Sequence, residues 1–354
     1  STTIWNSNLP FKVKSRLIFI IKYLRKKRPF GFKQFQLVSC LIELVKLNFH
    51  KNKNAVITVY DFNDSPPAIG NFIYWIMLIR FLNIICSKVI VVIIENKKNT
   101  KNRETHLRLF KNLCPKNYIH TFSSIEELTK QSFYKKSFFL FKEKVLKNQK
   151  AQIYYFNFLN ISFRFLLKNK EEDFLISKLV KIPDSLSNFF KLNSDNICIS
   201  FRYSNKNSPL YELEKTRNTS EAEFIKVIQS IRENYPNKKI FVLSDKEGSA
   251  FFKKVAIENS IDCHFSKDFF DDFLLDAELI LNSKLFIQLN GGGISPVAFF
   301  SKIPYLICAK NTNFEYAFSE SKLNYWSKRN QWFKEISIDD EFYYHLKKYY
   351  SNFQ

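Results

Sequence analysis

The chain has 354 residues, of which 45% are hydrophobic and 17% aromatic. It is long enough for two ordinary domains and too apolar for a disordered protein. Its 55 Lys and Arg residues against 33 Asp and Glu residues give a formal net charge of +22. Such an excess attracts phosphate-bearing partners, namely nucleic acid, an anionic membrane surface or a phosphorylated small molecule. The alternative is a lysine-rich composition without functional meaning.

The cysteines and the apolar runs bear on the compartment. Six cysteines are spread along the chain without a C-x-x-C pair, which does not favour a zinc site. We interpret them as free thiols in a reducing compartment. The longest apolar run, at 72–86, is too short to span a bilayer and contains Arg80 and Asn83. We therefore expect a cytoplasmic protein.

Residues 11–28 combine an apolar stripe with positive charge. The stripe residues share one face of a predicted helix, and eight Lys or Arg residues surround them. A helix of this kind binds at the lipid interface, which predicts peripheral attachment to the inner face of the membrane. Packing of the same stripe on the first domain is the alternative. The stripe consists of Leu17, Ile20, Ile21 and Leu24.

A first α/β series follows a second predicted helix at 32–49. A β-rich run at 55–60 precedes a turn-rich loop at 61–70, an apolar helix at 72–86 and a buried strand at 88–95. This order predicts a βαβ unit with parallel strands. Further on, Ser124 to Glu127 has the capping-box pattern, and 151–159 is a candidate strand. A stretch rich in Pro, Ser and Asn indicates a domain boundary near residue 190.

A longer alternating series occupies the second half of the chain. It predicts an α/β fold with two Rossmann-type, doubly wound parallel-sheet domains, at 1–190 and 191–354. Ligands of such sheets bind at the carboxyl ends of the strands, so the loops after Tyr60, Phe201, Ser244 and Leu289 matter most. The predicted strands are 196–201, 239–244, 262–265, 284–289 and 304–308, and the predicted helices are 220–235, 249–259, 271–282 and 294–301.

Three of the six glycines in the chain are consecutive, and they follow a predicted strand. At an average usage of about 7%, a chain of this length would carry roughly four times as many glycines. The run Asn290, Gly291, Gly292, Gly293 lies just before a short helix with Ser295 as its expected N-cap and Pro296 at its first position. Glycine there lets the backbone approach a ligand, and free N–H groups favour phosphate. A tight turn without a ligand is the alternative.

Polar residues follow two other predicted strands. Arg202 lies just beyond one strand and could fork onto a diphosphate, although a surface arginine paired with a carboxylate has the same pattern. Ser244 and Asp245 end the next strand. Arg217 lies just before a helix whose cap is Thr219 or Ser220. Two arginines and a glycine run around one crevice predict a diphosphate site.

At these strand ends the second half of the chain resembles the donor domain of GT-B glycosyltransferases, over roughly residues 195–310. The segment ISFRYSN is similar to the H-x-R-x-x-D motif of GT-B fucosyltransferases, with Ser200, Arg202 and Asn205 at the three positions, so only the arginine is kept. FVLSD resembles the following strand of those enzymes. LFIQLNGGGISPVAFFSKIPYLI resembles the donor-phosphate loop found there and in heptosyltransferases, with Lys302 and Pro304 near its end.

In the first half, DFNDSPPAIGNF resembles the glycine-containing loop after the first strand of GT-B enzymes, with Gly70 and Asn71 at the helix start. The resemblance implies two domains facing a central cleft. It also implies a nucleotide-diphosphate sugar as donor substrate, a hexosyl or deoxyhexosyl transfer, no metal and no other cofactor. The expected acceptor is a glycan or a lipid-linked glycan of the cell envelope. Nucleic acid is not expected as a partner under this interpretation.

An inverting transfer also needs a base on the acceptor side. Asp61 and Asp64 follow the first strand and are the candidates, although either could serve only to cap the turn. Glu95 is a further candidate. Asp271 and Asp272 lie at a helix start and are expected to cap it. Two alternative functions stay open: a basic RNA- or membrane-binding protein without catalysis, and a sugar-nucleotide epimerase of GT-B architecture.

Overall fold

The computed structural model describes residues 32–50, 55–63, 69–95, 103–146, 158–159, 175–204, 218–289, 293–308 and 332–334. The helix expected at 11–28 lies outside these residues. Contacts within the chain divide it into two compact units, Ser1–Phe174 and Leu175–Gln354.

The first unit is an α/β structure around a four-stranded parallel sheet with strand order β3-β2-β1-β4. All six residues of β1 are buried, as a Val- and Ile-rich run should be when helices cover both faces of a parallel sheet. The predicted βαβ unit is confirmed, because β1 and β2 pair in parallel from Val56↔Val89 onward. The elements are α1 (Phe32–His50), β1 (Val56–Asp61), α2 (Ile69–Ile85), β2 (Val89–Ile94), α3 (Arg103–Leu113), β3 (Ile119–Phe122), α4 (Ile125–Thr129), α5 (Ser132–Lys136), β4 (Phe138–Phe139) and α6 (Lys142–Leu146).

The second unit has a six-stranded sheet, parallel at every pairing, with strand order β10-β9-β8-β5-β6-β7. The elements are α7 (Asp184–Leu192), β5 (Ile197–Ser200), α8 (Glu221–Asn234), β6 (Ile240–Leu243), α9 (Lys246–Glu258), β7 (His264–Phe265), a 3₁₀ turn (Ser266–Asp268), α10 (Phe273–Leu281), β8 (Leu285–Leu289), α11 (Ser295–Phe299), β9 (Tyr305–Cys308) and β10 (Trp332–Lys334).

Helices pack on both faces of the second sheet. One face forms a core with α8 and α9, in which Ile199 and Ile287 meet Phe224 and Phe252. On the other face the Cys198 thiol lies 3.7 Å from the Leu279 carbonyl of α10. Numbered within the unit, the strand order is 6-5-4-1-2-3, the order of a doubly wound Rossmann sheet. The fold class expected from the sequence is confirmed for both units.

The second unit begins at Leu175 in the chain, whereas the sequence analysis expected a domain boundary near residue 190. Residues 175–180 belong to the second unit because their backbone bonds to it. Ile176 donates to the Phe300 carbonyl at 2.5 Å, and the amide of Leu179 donates to the buried carboxylate of Glu278 at 2.8 Å. Helix α7 then packs Phe189 on Phe241 of β6.

The candidate strand at 151–159 and the capping box at Ser124 have different outcomes in the structure. Of the candidate strand at 151–159, the structure describes only Phe158 and Leu159, and these two are helical. Ser124 does cap α4 by accepting from the Glu127 amide at 3.2 Å, but the Glu127 carboxylate accepts from Ser123 and not from the cap residue.

The cysteines and the apolar helices were considered for what they say about the compartment. The five cysteines with described side chains are free. Within the described ranges, no helix has the length and apolarity that crossing a membrane requires.

Candidate functional site

The candidate donor-binding residues of the second unit follow three neighbouring strands. Strands β8, β5 and β6 are adjacent in the sheet, and all run parallel. Their carboxyl ends therefore meet at one edge. The strand order reverses between β5 and β8, which makes this pair the topological switch point where open α/β sheets bind their ligands. Arg202 follows β5 and the glycine run follows β8, so both flank the switch point.

The backbone around Arg202 is held in place on several sides. The Phe201 amide donates to the Leu243 carbonyl at 3.2 Å, and the Arg202 carbonyl accepts from the Thr219 amide at 2.8 Å. The next turn of chain is fixed as well, because Asn218 donates to the Ser204 carbonyl at 2.9 Å. The Tyr203 ring stacks on Phe251 with centroids 4.2 Å apart. Because of these contacts, the backbone that carries the Arg202 side chain is rigid. Arg202 itself is half-buried.

The end of β6 is tied to the end of β5. The Ser244 hydroxyl donates to the Phe201 carbonyl at 3.2 Å. Asp245 caps α9 by accepting from the Gly248 amide at 2.8 Å. A Cβ on Gly248 would lie 2.1 Å from the Ser244 Oγ, so a larger residue there would displace the Ser244 hydroxyl. Ser244 and Asp245 thus lie beside the switch point, and both also hold the strand-to-helix turn together.

Of the glycine run, the structure describes only Gly293, which is exposed, while 290–292 lie outside the described residues. The expected cap was wrong: Ile294 holds the cap position and α11 begins at Ser295 itself, with Pro296 in its first turn. The Ser295 side chain is fully buried and its hydroxyl donates to Gln288 Oε1. It is therefore engaged in the protein interior and not in capping the helix.

Gln288 is a residue that the sequence analysis did not single out. It is fully buried in β8, a strand that is otherwise apolar, and it pairs in register with Ser200 of β5. Its Nε2 has no hydrogen-bond partner among the residues that the structure describes. The Gln288–Ser295 hydrogen bond joins the two ends of the segment that contains the glycines. A single polar residue inside an apolar strand was the signal that could have revealed it.

The helix that follows Arg202 in the chain has a complete capping box. Ser220 accepts from the Glu223 amide, and the Glu223 carboxylate accepts from the Ser220 amide at 2.7 Å. Of the two predicted caps, Ser220 is the right one, while Thr219 is buried and bonds to Arg202. Arg217 lies outside the described residues, so its role stays a prediction.

In the first unit, Asp61 is the last residue of β1 and is almost fully buried. Its Oδ1 accepts from the backbone amide of Asn63 at 2.8 Å and from the Asn63 side chain at 3.0 Å. The turn-capping role considered for Asp61 is confirmed by these bonds. A role as base stays a prediction. Asp64 lies outside the described residues.

Other predicted residues of the first unit lie near the same ends of β1 and β2. Gly70 is buried and Asn71 half-buried in the first turn of α2. Glu95, which follows β2, forms an ion pair with Arg103 at 2.5 Å. The Arg103 guanidinium also lies 5.2 Å from the ring centroid of Phe62. The Glu95 carboxylate, a further candidate for the base, is thus paired with Arg103.

The predicted caps of α10 are partly confirmed. Asp272 accepts from the Leu274 amide at 2.8 Å and caps the helix. Asp271 forms ion pairs with Lys246 at 2.7 Å and Lys267 at 3.8 Å. The hydrogen bond from Lys246 lowers the Asp271 pKa. Across the described ranges, no group of three or more His, Cys, Asp or Glu side chains is placed to hold a metal ion.

No protein-family model matches the sequence, and a comparison with curated proteins finds no match. Among solved structures, the chain is similar to a glycosyl transferase family 9 protein from Veillonella parvula, with 11% identity, 84% of this chain and 90% of that chain covered, and a TM-score of 0.46. It is also similar to a UDP-GlcNAc 2-epimerase from Methanocaldococcus jannaschii, with 11% identity, 91% and 76% coverage, and a TM-score of 0.32. These are likenesses of fold, so the function is argued below from the chain's own residues.

Proposed function

We propose that the protein is a glycosyltransferase that moves a sugar from a nucleotide-diphosphate sugar to a glycan or lipid-linked acceptor. The observation that carries the proposal is the position of Arg202. It lies just beyond β5, after Phe201, on the rigid segment at the switch point, and β5 pairs with the strand that leads into the glycine run. Open α/β sheets bind ligands at this point, and an arginine fork matches a diphosphate.

The donor side would use residues from three loops. Arg202 neutralises the charge that develops on the leaving diphosphate, which lowers the barrier to transfer. Backbone amides of Asn290 and the three glycines, with Arg217, would complete the phosphate contacts. Ser244 and Asp245 would contribute from the end of β6. Ser295 contributes through its buried bond to Gln288, which fixes the end of the loop.

The acceptor side would use a carboxylate of the first unit as base if transfer inverts the configuration. Both hydrogen bonds from Asn63 reach the same oxygen of Asp61. The other oxygen, Oδ2, is then the atom that accepts the proton of an acceptor hydroxyl. Asp64 is the second candidate, and a retaining transfer needs neither. We propose that transfer of a hexosyl or deoxyhexosyl group proceeds without a metal, in the synthesis of cell-envelope polysaccharide at the inner face of the membrane.

Ligand-induced stabilisation tests the donor part of this proposal. We expect one or a few members of a panel of UDP-, GDP-, ADP- and CMP-sugars to raise the melting temperature, because a ligand that binds only the folded state stabilises it. The panel includes UDP-GlcNAc, since the Methanocaldococcus structure is an epimerase of that sugar nucleotide. If no nucleotide sugar and no free nucleotide diphosphate shifts the melting temperature, the proposal is wrong.

Turnover of the donor that binds then separates the two enzyme classes. A glycosyltransferase releases nucleotide at a rate that depends on an added acceptor glycan, whereas an epimerase converts the donor sugar without any acceptor. The same assay on Asp61→Asn examines the base, because asparagine retains the oxygen that holds the turn but loses the carboxylate. Full turnover in both Asp61→Asn and Asp64→Asn would show that neither carboxylate is the base.

A further inference from the structure

A groove in the first unit, away from the residues assigned above, has a strongly positive lining. It encloses about 560 Å³ beside β4, the edge strand of the described sheet, and α1. Among the described residues, four lysines line it, Lys46, Lys135, Lys136 and Lys142, against one acid, Glu43. A concave surface with charges of one sign focuses the field and concentrates ions of the opposite sign.

Glu43, the one acid among the described lining residues, offsets only one of the four lysine charges, and it does so by pairing with Lys46. Glu43 Oε1 pairs with Lys46 at 3.2 Å, and its Oε2 accepts from the backbone amide of Phe141 at 3.1 Å. In the part of the chain that the structure describes, no carboxylate forms a salt bridge with Lys135 or Lys142. Lys135 and Lys142 are therefore the two lysines of the lining chosen for substitution.

Aromatic side chains give the groove a shaped wall. The His50 ring stacks on Phe138 with centroids 4.9 Å apart and an interplanar angle of 2°. The Lys142 ammonium lies 5.3 Å from the ring centroid of Tyr134, a cation–π contact that holds this lysine over the groove. The lysines are thus arranged around a wall of rings and do not simply project from a flat surface.

The distribution of charge along the chain supports a function for this lining. The unit Ser1–Phe174 has 31 Lys and Arg residues against 11 Asp and Glu residues, a net +20, while Leu175–Gln354 has 24 against 22, a net +2. A compositional bias alone would raise the charge of both halves. Without the eight basic residues at 11–28, the first unit still has 23 against 11, a net +12. An asymmetry of this size indicates an anionic partner of the first unit.

We propose that the groove lined by Lys46, Lys135, Lys136 and Lys142 binds a phosphate-bearing ligand with several closely spaced phosphate groups. Lysine ammonium groups bind phosphate as point charges and need no fixed geometry, which suits a flexible chain of phosphates. The ligand would come either from a soluble phosphorylated molecule or from clustered lipid headgroups. The groove belongs to the first unit and the donor residues belong to the second, so the test of the groove is independent of the proposed transfer reaction.

Calorimetric titration of the full chain with tripolyphosphate tests the site. The double variant Lys135→Gln/Lys142→Gln should bind at least tenfold more weakly, because it removes the two lysines without a described acidic partner. The matched control is Lys111→Gln/Lys116→Gln, which removes the same charge from exposed positions of the same unit. The control should bind within twofold of the unchanged protein, and both variants should retain its melting temperature.

Vesicles of phosphatidylglycerol distinguish the two sources of phosphate. Vesicle binding that falls in the Lys135/Lys142 variant, but not in the control, assigns the groove to lipid headgroups. Vesicle binding that is equal in both variants assigns it to a soluble ligand. Equal weakening of tripolyphosphate binding in variant and control would overturn the proposal, as would no binding of either probe. Binding of a single-stranded RNA alone would also overturn it in this form.

Discussion

At the scale of single residues, the site depends on side chains whose backbone is fixed before any ligand arrives. The Arg202 carbonyl, the Ser204 carbonyl and the Phe201 amide all take part in hydrogen bonds to neighbouring segments. A side chain on such a base loses less entropy on binding than one on a flexible loop. This favours Arg202 over the other candidate cations of the site as the residue on which donor affinity depends most.

Replacing Arg202 should therefore weaken donor binding more than any other single change in the second unit. Loss of a charge-assisted contact costs about 2 kcal/mol, which is roughly 30-fold in the dissociation constant. Arg202→Lys keeps the charge but loses the forked guanidinium. Its donor affinity should therefore lie between that of the unchanged protein and that of Arg202→Ala. Titration calorimetry with the bound nucleotide sugar measures all three proteins.

Arg232→Ala is the matched control for that measurement. Arg232 is an arginine of the same unit that donates to the carbonyls of Lys238 and Asp262, both at 2.8 Å. Its loss should lower the free energy of unfolding and leave nucleotide affinity unchanged. The assignment of Arg202 would be contradicted by equal affinities in Arg202→Ala and the unchanged protein.

Gln288 and Ser295 form a second residue-scale prediction. Gln288→Met removes the buried hydrogen bond that the Ser295 hydroxyl donates to Gln288, which costs about 1 kcal/mol of folding free energy. In the double variant with Ser295→Ala that bond is lost only once, so the double variant should be less destabilised than the sum of the two single changes. Urea unfolding of the four proteins of this cycle measures the coupling. Additive effects would show that the two side chains do not interact.

At the scale of elements, local sequence predicted the starts of helices better than their packing. The sequence named Ser220, as one of two alternatives, and Asp272 as caps, and both cap their helices through bonds to nearby amides. Capping is local, so it can be read from a few consecutive residues. The prediction that Ser295 caps α11 is wrong because its side chain makes a non-local contact. Its hydroxyl bonds to Gln288, seven residues away on another element, and only the packed structure brings them together.

Helix α10 also holds the first residues of the second unit, through Glu278. Its buried carboxylate accepts from the amides of Leu179 and Val180. Burial raises the Glu278 pKa, and the hydrogen bonds only partly oppose this. Because the folded state holds the proton more tightly, this group stabilises the fold most below its ordinary pKa of about 4.3, and the contribution is lost as the pH rises through the raised value.

Glu278→Gln should therefore become less stable relative to the unchanged protein as the pH falls from 7 to 5. Glutamine keeps an oxygen for the two amides but has no proton to gain. Urea unfolding at both pH values gives the comparison. Asp271→Asn is the contrasting control: Lys246 lowers the Asp271 pKa, so the Asp271 contribution is lost only below its ordinary pKa of about 3.9 and should stay constant between pH 7 and 5. Parallel pH dependence in all three proteins would contradict the assignment.

At the scale of the whole molecule, the alternation of strands and helices predicted two parallel α/β units, because buried parallel strands are continuous apolar runs. The order of strands within each sheet was not readable, since it depends on which strands pair across the chain. The division between the two units is also not readable from local sequence, for a related reason. Residues 175–183 have no periodic pattern, and their attachment to the second unit rests on backbone bonds to Phe300 and Glu278.

Attachment to a membrane through the N-terminal segment is also a property of the whole molecule. Residues 11–28, outside the described part of the chain, have the sequence of an interfacial helix with eight basic residues. Each basic residue near an anionic surface contributes roughly 1 kcal/mol, and salt screens it within a Debye length. We expect the full chain to sediment with phosphatidylglycerol vesicles at low salt and less so at high salt. It should not sediment with phosphatidylcholine vesicles.

Two variants identify the segment responsible. Removal of residues 1–28 should abolish sedimentation while the melting temperature stays unchanged, because an interfacial helix contributes nothing to the two cores. The Lys135→Gln/Lys142→Gln variant should still sediment if the helix, and not the groove beside β4, meets the lipid. Unfolding of the shortened chain would instead show that Leu17, Ile20, Ile21 and Leu24 pack on the first unit, and the helix would then be structural.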